Sequence, residues 1–267
     1  MNRNAFTENV VIITGASSGI GQQLAYNLAE QGAWLVLSAR NVDNLQEVAN
    51  TCAHLGAKVV IIPTDVSDKS QCRNLIEKTI EHYGRIDTLI NNAGFAVASR
   101  FVDMSDLTVF EKIIQVNFFG GVYCTHYALP YLIKSGGRLI AISSLRGRLP
   151  SGTADGYGAS KHAMAEFYSS LRNELSDTGV SVTLIYPSWV KTGITGRALK
   201  ADGTFKGEVS VHEKNGMSPE KCASIIVNAA GKRKGEIVMT FEGKLGLWLR
   251  LIAPSLVDKI LRKKTEQ

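Results

Sequence analysis

Residues 9–32 read NVVIITGASSGIGQQLAYNLAEQG. An apolar, β-branched run (9–14) breaks at Thr14-Gly15. After Gly21 the chain takes up a helical pattern that stops at Gly32. Val and Ile suit a pleated strand, glycine suits a tight turn, and the spacing of Leu24, Ala25 and Leu28 suits one face of a helix. A strand, a glycine-rich turn and a helix in direct succession form the start of a βαβ unit.

The same alternation recurs along the chain. Strand-like runs are AWLVLSA (33–39), AKVVIIPTD (57–65), RIDTLINNAG (85–94), GRLIAISS (137–144), VSVTLIYP (180–187) and EIVMT (236–240). Helical patterns occupy about 43–55, 69–83, 107–134, 156–177 and 219–231. The strand runs are almost continuously apolar, as strands buried on both faces must be. The expectation is an α/β fold: a doubly wound, Rossmann-type parallel sheet of seven strands, with helices on both faces, in a single domain. Residues 1–242 are read as one domain containing a long irregular segment, polar and glycine-containing, at about 192–218, and 243–267 as a basic amphipathic extension.

Composition narrows the function classes. The chain has 267 residues, 45% of them apolar and 20% charged, which suits a soluble globular protein with a large core. Cys52, Cys72, Cys124 and Cys222 form no paired motif, so a disulfide framework is not expected and a reducing, cytoplasmic setting is. Five dispersed histidines give no metal-ligand spacing, and no metal is expected. No leader is read at MNRNAFTENVV, and no apolar run reaches the ~18–20 residues of a membrane span. The net charge is +6. From Gly231 onward there are nine Lys or Arg against four Asp or Glu, while the body is nearly balanced. A nucleic-acid groove across the body is therefore not expected.

In TGASSGIG, Gly15, Gly19 and Gly21 let the backbone turn tightly and approach a pyrophosphate. Ser17, Ser18 and Ile20 offer N–H groups at the helix start. The spacing T-G-x-x-x-G-x-G stands with NNAG (91–94), Asn117, ISS (142–144) and YGASK (157–161), in this order. Together they resemble the short-chain dehydrogenase/reductase family over nearly the whole chain, to about residue 240. The resemblance implies that residues 1–242 form a dinucleotide-binding catalytic domain and that the segment at about 192–218 is its substrate lid.

The resemblance implies a nicotinamide dinucleotide. An NAD site usually carries a carboxylate at the end of the second strand, and an NADP site a cation. Here VLSARN places Ala39 and then Arg40, whose guanidinium suits a 2′-phosphate. Ser38 and Asn41 could add hydrogen bonds. NADP(H) is expected over NAD(H), although Ser18 stands where many NADP-preferring relatives carry a second cation. Asp65 resembles the family's adenine-binding acid, with Val66 beside it and Asp68 as the helix cap. Asn91, Ala93 and Gly94 are expected beneath the cofactor, with Asn91 also supporting the sheet.

Tyr157 and Lys161 lie four apart, on one helix face, so the cation can lower the phenol's pKa. Spacing alone would be weak evidence. Ser144, thirteen residues before Tyr157, is the expected partner on the substrate oxygen, with Ser143 as its rival. In the family the lysine also bonds the nicotinamide ribose, and the residue matching Asn117 helps hold a water that links the lysine to solvent. The implied reaction is hydride transfer between nicotinamide and a carbonyl or secondary alcohol, with Tyr157 as general acid or base.

YPSWVKTG (186–193) departs from the family: Ser188 stands where glycine is usual, and since serine takes up glycine's unusual backbone angles only at a cost, the local geometry is expected to differ there. Pro187, Val190 and Thr192 are expected beside the cofactor. Leu145, Leu149, Phe95, Trp189 and Ile194 are expected to line an apolar substrate pocket, Trp189 either as a wall or simply packed. Arg146 and Arg148 could meet an anionic group or face solvent. A cofactor-binding sensor without turnover is the alternative function. The tail, with Pro254 interrupting its apolar pattern, could lie on an anionic membrane, on the domain, or on another subunit of a homodimer or homotetramer.

Overall fold

The computed structural model describes residues 5–150 and 155–265, with side chains to residue 260. The first residues of the leader reading and the end of the tail reading lie outside the described residues. The chain runs β1 (Val10–Thr14), α1 (Gly19–Ala29), β2 (Trp34–Ser38), α2 (Val42–His54), β3 (Val59–Ile61), α3 (Lys69–Tyr83) and β4 (Thr88–Asn91). It continues through α4 (Thr108–Ile114), α5 (Gly120–Ser135), β5 (Arg138–Ile142), α6 (Gly156–Glu174), β6 (Ser181–Tyr186), α7 (Val211–Lys214), α8 (Pro219–Gly231) and β7 (Glu236–Val238). Two helices close it, α9 (Phe241–Ile252) and α10 (Pro254–Thr265).

The seven strands form one parallel sheet in the order β3-β2-β1-β4-β5-β6-β7. Strand alternation builds two cores from one sheet. Val11 and Ile13 of β1 face a layer made with Leu24, Leu28, Leu45, Val48 and Ile226 of α1, α2 and α8. Val10 and Ile12 face a layer made with Leu75, Ile76, Cys124, Leu132, Met164 and Tyr168 of α3, α5 and α6. All four cysteines are free and buried, and burial raises the thiols of Cys52 and Cys222 to about 12.

The chain winds outward from β1 to β3 and then returns to β4 on the other side of β1. That reversal opens a crevice at the strands' C-terminal ends. Ile13 pairs with both Leu37 and Ile90, so the glycine turn after Thr14 emerges beside the Asn91–Gly94 loop.

Three readings gain detail. The expected helix at 107–134 is a continuous helical run, Thr108–Ser135, broken in register by a π-helical turn at Gln115–Phe119. The 192–218 segment carries local order: Leu199 bridges to Val97 and Phe205, and Val190 bridges to Met217. The first helix of the tail starts at Phe241, and Pro254 restarts the helix as its interruption of the pattern implies, at an N-terminal position where a missing N–H costs nothing. Among the described residues no helix is long and apolar enough to cross a membrane.

Candidate active site

The phosphate-loop region is fixed from two sides. Thr14 Oγ1 accepts from the N–H groups of Asn92 (3.0 Å) and Ala93 (3.1 Å) and donates to the carbonyl of Ile90 (3.2 Å). Asn92 Nδ2 donates to the carbonyls of Thr14 (2.9 Å) and Gly15 (3.2 Å). These bonds join the ends of β1 and β4 into one platform. Gly15 has φ +66°, and a Cβ at Gly21 would lie 2.2 Å from the Gly15 carbonyl oxygen. The loop therefore admits no side chain at these positions. Ser18 is extended at the start of α1 and provides no side-chain cap, and the first turn holds no acid. The helix thus presents uncapped N–H groups and a positive dipole end to the crevice, as an anion requires. The chain's own residues fit a dinucleotide diphosphate here.

At the outer corner, no carboxylate ends β2. Arg40 is exposed, and its Nη1 lies 4.0 Å from Asp65 Oδ2. Asp65 Oδ1 accepts from the backbone N–H and hydroxyl of Ser67. Asp68 caps α3 through the N–H groups of Ser70 and Gln71, as expected. Asn41 caps α2 by accepting from Asn44 N through its Oδ1, and Ser38 is completely buried in the sheet. The Val66 side chain packs against the bare Cα of Gly120.

Asn91, Asn117, Lys161 and Tyr157 converge at the inner end of the crevice. Asn91 Nδ2 donates to Thr125 Oγ1 (2.9 Å), Tyr168 Oη (2.8 Å) and the Gly121 carbonyl (3.4 Å). Its side chain thereby ties α5 and α6 to the sheet. Asn117, fully buried, sits in the π-helical turn. Its Oδ1 accepts from Phe95 N, and its Nδ2 donates to the Phe95 carbonyl and to Ser160 Oγ, at 3.0–3.1 Å. Both side-chain donors are thus spent on structure. A Cβ on Gly94 would lie 2.9 Å from Asn117 Oδ1 and 3.6 Å from Lys161 Nζ, so only a bare backbone fits there.

Of the two serines, Ser144 is the one that acts on the Tyr157 phenol, drawing its pKa down against burial. Ser143 Oγ instead donates to the Lys161 carbonyl (3.1 Å). Ser144 Oγ also accepts from Arg146 N (3.2 Å), which opens a short 3₁₀ turn after β5. Asp155 caps α6 by accepting from Gly158 N (2.9 Å) and pairs with Arg146.

Lys161 stands on the Tyr157 side of α6, but its ammonium is bonded elsewhere. Lys161 Nζ donates to the Ile142 carbonyl (2.9 Å) and lies 5.8 Å from the Tyr157 ring centre. Burial raises the Tyr157 phenol above its ordinary value, opposed by the Ser144 hydrogen bond and by Arg146, whose guanidinium lies 5.5 Å from the ring centre. Burial also pushes the Lys161 ammonium down to about 8.

On the substrate side, Tyr157, Phe95 and Leu199 pack against Val97, Val109 and Ile113. Leu145 and Leu149 approach the bare backbone of Gly243 and Gly246 in α9. Trp189 stacks on His212 with ring centres 5.5 Å apart and stays 42% exposed. Ile194 is partly buried in the lid, where its N–H donates to Glu213. Arg148 pairs with Glu236 (2.9 Å). The Pro187 carbonyl accepts from Leu145 N (2.9 Å), and Val190 is buried. Among the described residues only Glu8 and Arg233 are non-glycines with positive φ, so Ser188 adopts an ordinary backbone conformation rather than a left-handed one. Thr192 touches the phosphate loop: a Cβ on Gly19 would lie 3.1 Å from its Cβ and Cγ2.

Thr14, Asn92, Asp155 and Glu213 were not singled out from sequence. Asn92 stands inside the NNAG motif, and Asp155 stands three residues before Gly158 as a helix-capping acid does. Glu213 gives no local signal.

Comparison with known proteins agrees with this architecture. The family model described as short chain dehydrogenase matches residues 9–203. A protein of Arabidopsis thaliana named 11-beta-hydroxysteroid dehydrogenase-like 4A is 40% identical over 249 residues, 93% of this chain and 82% of the relative. The 11-beta-hydroxysteroid dehydrogenase A of Arachis hypogaea is 36% identical, covering 95% of this chain and 74% of its own length. A short-chain dehydrogenase/reductase from Burkholderia phymatum, solved with NAD, superposes with a TM-score of 0.83 at 23% identity, over 94% of this chain and 96% of that one. An alcohol dehydrogenase from Thermococcus sibiricus, complexed with 5-hydroxy-NADP, gives 0.74 at 26% identity, over 86% and 94%. An α/β crevice with a phosphate loop and a Ser–Tyr–Lys cluster defines a nicotinamide-dependent oxidoreductase. The chain belongs to the short-chain dehydrogenase/reductase family.

Proposed function

We propose that the chain is an NADP(H)-dependent oxidoreductase that interconverts an apolar ketone and its secondary alcohol, of hydroxysteroid-like character. The observation that carries the reaction is the convergence at the end of β5: buried Lys161 donates to the Ile142 carbonyl beside the Tyr157 ring, and Ser144 follows two residues later at the start of the next turn. The bound nicotinamide supplies or accepts the hydride. Ser144 then hydrogen-bonds the substrate oxygen, and Tyr157 gives that oxygen a proton in reduction or removes one in oxidation. Lys161 would bond the cofactor ribose and supply positive charge near Tyr157. Asn117 holds the Phe95 loop, and its backbone would complete a water link to Lys161. Gly15, Ser17, Ser18, Gly19, Ile20 and Gly21 would hold the diphosphate. Asp65 and Val66 would take the adenine, and the backbones of Asn91, Ala93 and Gly94 would support the cofactor. Pro187, Val190 and Thr192 would serve the carboxamide side.

Arg40 and the missing carboxylate at the end of β2 support NADP(H). The hydroxysteroid-like character rests on the names of the relatives and on the apolar packing around Tyr157. Leu145 and Trp189 border the substrate. A panel of apolar ketones and secondary alcohols, read by NADPH absorbance, tests the reading. Turnover of polar sugars alone, or faster turnover with NADH, would overturn it.

The tail supports a second, compatible reading: peripheral contact with an anionic membrane. Gly243 and Gly246 turn α9 toward Leu145 and Leu149, while Leu245, Trp248, Leu251 and Ile252 face outward, 47–82% exposed, beside exposed Lys244. A homodimer or homotetramer is also proposed. The aromatic group of Phe118, Phe119, Tyr123 and Phe167, only partly buried on α5, α6 and the π-helical turn, supports it. Light scattering that gives a monomer would remove it.

A further inference from the structure

Glu213 is 1% exposed, and the proton chemistry proposed above makes no use of it. It sits in the single turn of α7, whose cap is Ser210. Its Oε1 accepts from Thr192 N (2.9 Å), Thr192 Oγ1 (3.1 Å) and Ile194 N (3.0 Å). Its Oε2 accepts from Thr195 N (3.0 Å) and from the Thr195 hydroxyl. Five donors therefore converge on one carboxylate. No cation lies within ion-pair distance of it among the described residues, so N–H and O–H dipoles alone hold its charge. Those hydrogen bonds outweigh burial and keep Glu213 below the usual carboxylate range.

The position of this cluster gives it a consequence. The segment from Trp189 to Met217 is a loop whose neck is closed by backbone bonds. Met217 N donates to the Trp189 carbonyl (2.8 Å), and Lys191 N donates to the Met217 carbonyl (3.0 Å). Glu213 lies just inside that neck and fastens the outgoing strand of the loop, 192–195, to its returning end. Thr195 Oγ1 also accepts from Ser210 N (2.9 Å), which doubles the tie. The methyl side of Thr192 meets Gly19 of the phosphate loop. The carboxylate thus fixes where the lid meets the phosphate loop, across 21 residues of sequence.

We infer that Glu213 is a positioning residue for the dinucleotide site: its carboxylate seats Thr192 against the phosphate loop and so sets cofactor affinity. This deepens the proposed function and rests on the reading that the loop at Thr14–Gly21 holds a dinucleotide. A carboxylate suits the task because it is acceptor-only at both oxygens. An amide in its place would point an NH2 group at N–H donors and break one side of the clamp.

The test is NADPH binding followed by fluorescence, for wild type, Glu213→Gln, Thr195→Val and Thr195→Ser, with thermal unfolding of each. Glu213→Gln is expected to weaken NADPH binding at least tenfold. Thr195→Val, which removes one of the five donors and the tie to Ser210, is expected to weaken it several-fold. Thr195→Ser keeps the hydroxyl and should bind as wild type does. The KM for cofactor should rise with the Kd, while kcat at saturating cofactor stays within about threefold. Variants that lose thermal stability yet bind NADPH as tightly as wild type would make the clamp structural only and overturn the inference. If Glu213→Gln does not fold, the Thr195→Val and Thr195→Ser pair decides alone. Wild-type protein that binds neither NADPH nor NADH would instead overturn the dinucleotide reading beneath it, and this inference with it.

Discussion

Lys161 Nζ donates to the carbonyl oxygen of Ile142 at 2.9 Å, at the C-terminal end of β5 and beneath the ring of Tyr157. An ammonium 4% exposed is costly to bury, and burial pushes its pKa down to about 8. The unfolded chain would bind this proton up to about pH 10.4. Between those values the unfolded state holds more protons, so stability must rise with pH across that window. The shift corresponds to about 3 kcal/mol of cost at neutral pH, partly offset by about 1 kcal/mol for the hydrogen bond to Ile142. Lys161→Met should therefore raise stability at pH 7 by about 1–2 kcal/mol while abolishing turnover. The difference from wild type should shrink as pH rises from 8 towards 10. Urea unfolding at several pH values measures it; a Met variant less stable at pH 7 would contradict it.

Tyr157 makes the complementary prediction. Its phenol is held above the ordinary tyrosine value, so it is protonated throughout the neutral range. Carbonyl reduction uses the protonated form and should be flat with pH there. Alcohol oxidation uses the phenolate and should climb with pH, approaching tenfold per unit. Tyr157→Phe should bind NADPH normally and lose at least a thousandfold in kcat in both directions, which rapid-mixing absorbance would read.

Arg40 stands 4.0 Å from Asp65 and is otherwise open to solvent. A guanidinium bonded to a 2′-phosphate contributes about 1.5–3 kcal/mol. Arg40→Ala should weaken NADPH about 10–100-fold and leave NADH nearly unchanged. Equal losses for both cofactors would assign Arg40 a structural role at the loop instead.

Asn91 shows what was legible in the sequence and what was not. The strands were legible because burial on both faces leaves continuous apolar runs, and the phosphate loop because glycine is the only residue its close contacts admit. The dual role of Asn91 was visible only as position in a motif. Its partners Thr125 and Tyr168 lie 34 and 77 residues away, and no local pattern encodes them. The π-helical turn at Asn117 was missed for the same reason: its amide pairs with Phe95, 22 residues distant, and that tertiary pairing accompanies a helix ladder opened by one residue. The lid read as irregular because its order comes from Glu213, whose donors lie 18–21 residues away. The shared helix face of Lys161 and Tyr157 was legible from their spacing, but periodicity carries no information on depth of burial, which decides the lysine's pKa. Asn91→Ala should take one partner from each of three buried polar groups, leaving Thr125 and Tyr168 bonded only to each other (3.0 Å), and cost about 1–3 kcal/mol. Tm should fall sharply, while NADPH affinity measured well below Tm stays near wild type.

The tail places its own test on chemistry that the sheet cannot supply. A helix lying at an interface needs a continuous apolar stripe and cations close to the headgroups. In α9, Phe241, Leu245, Trp248 and Ile252 recur at helical spacing on the open side, all exposed, and the chain continues through exposed Lys259 to Arg262, Lys263 and Lys264. The opposite side of α9 is committed to the protein, since Gly243 and Gly246 meet Leu145 and Leu149 beside Ser144. An apolar substrate dissolved in lipid would then meet the protein on the flank nearest its reactive hydroxyls. Trp248→Glu combined with Leu251→Glu should abolish co-sedimentation with vesicles containing phosphatidylserine, without altering turnover of a water-soluble ketone. Removal of 243–267 should do the same to sedimentation. Added salt should weaken binding of the wild type, because cation–headgroup attraction is screened beyond about 10 Å at 0.1 M. Double-variant protein that still sediments like wild type would assign the stripe to contact with another subunit, which light scattering of the same variant would then report as a smaller assembly.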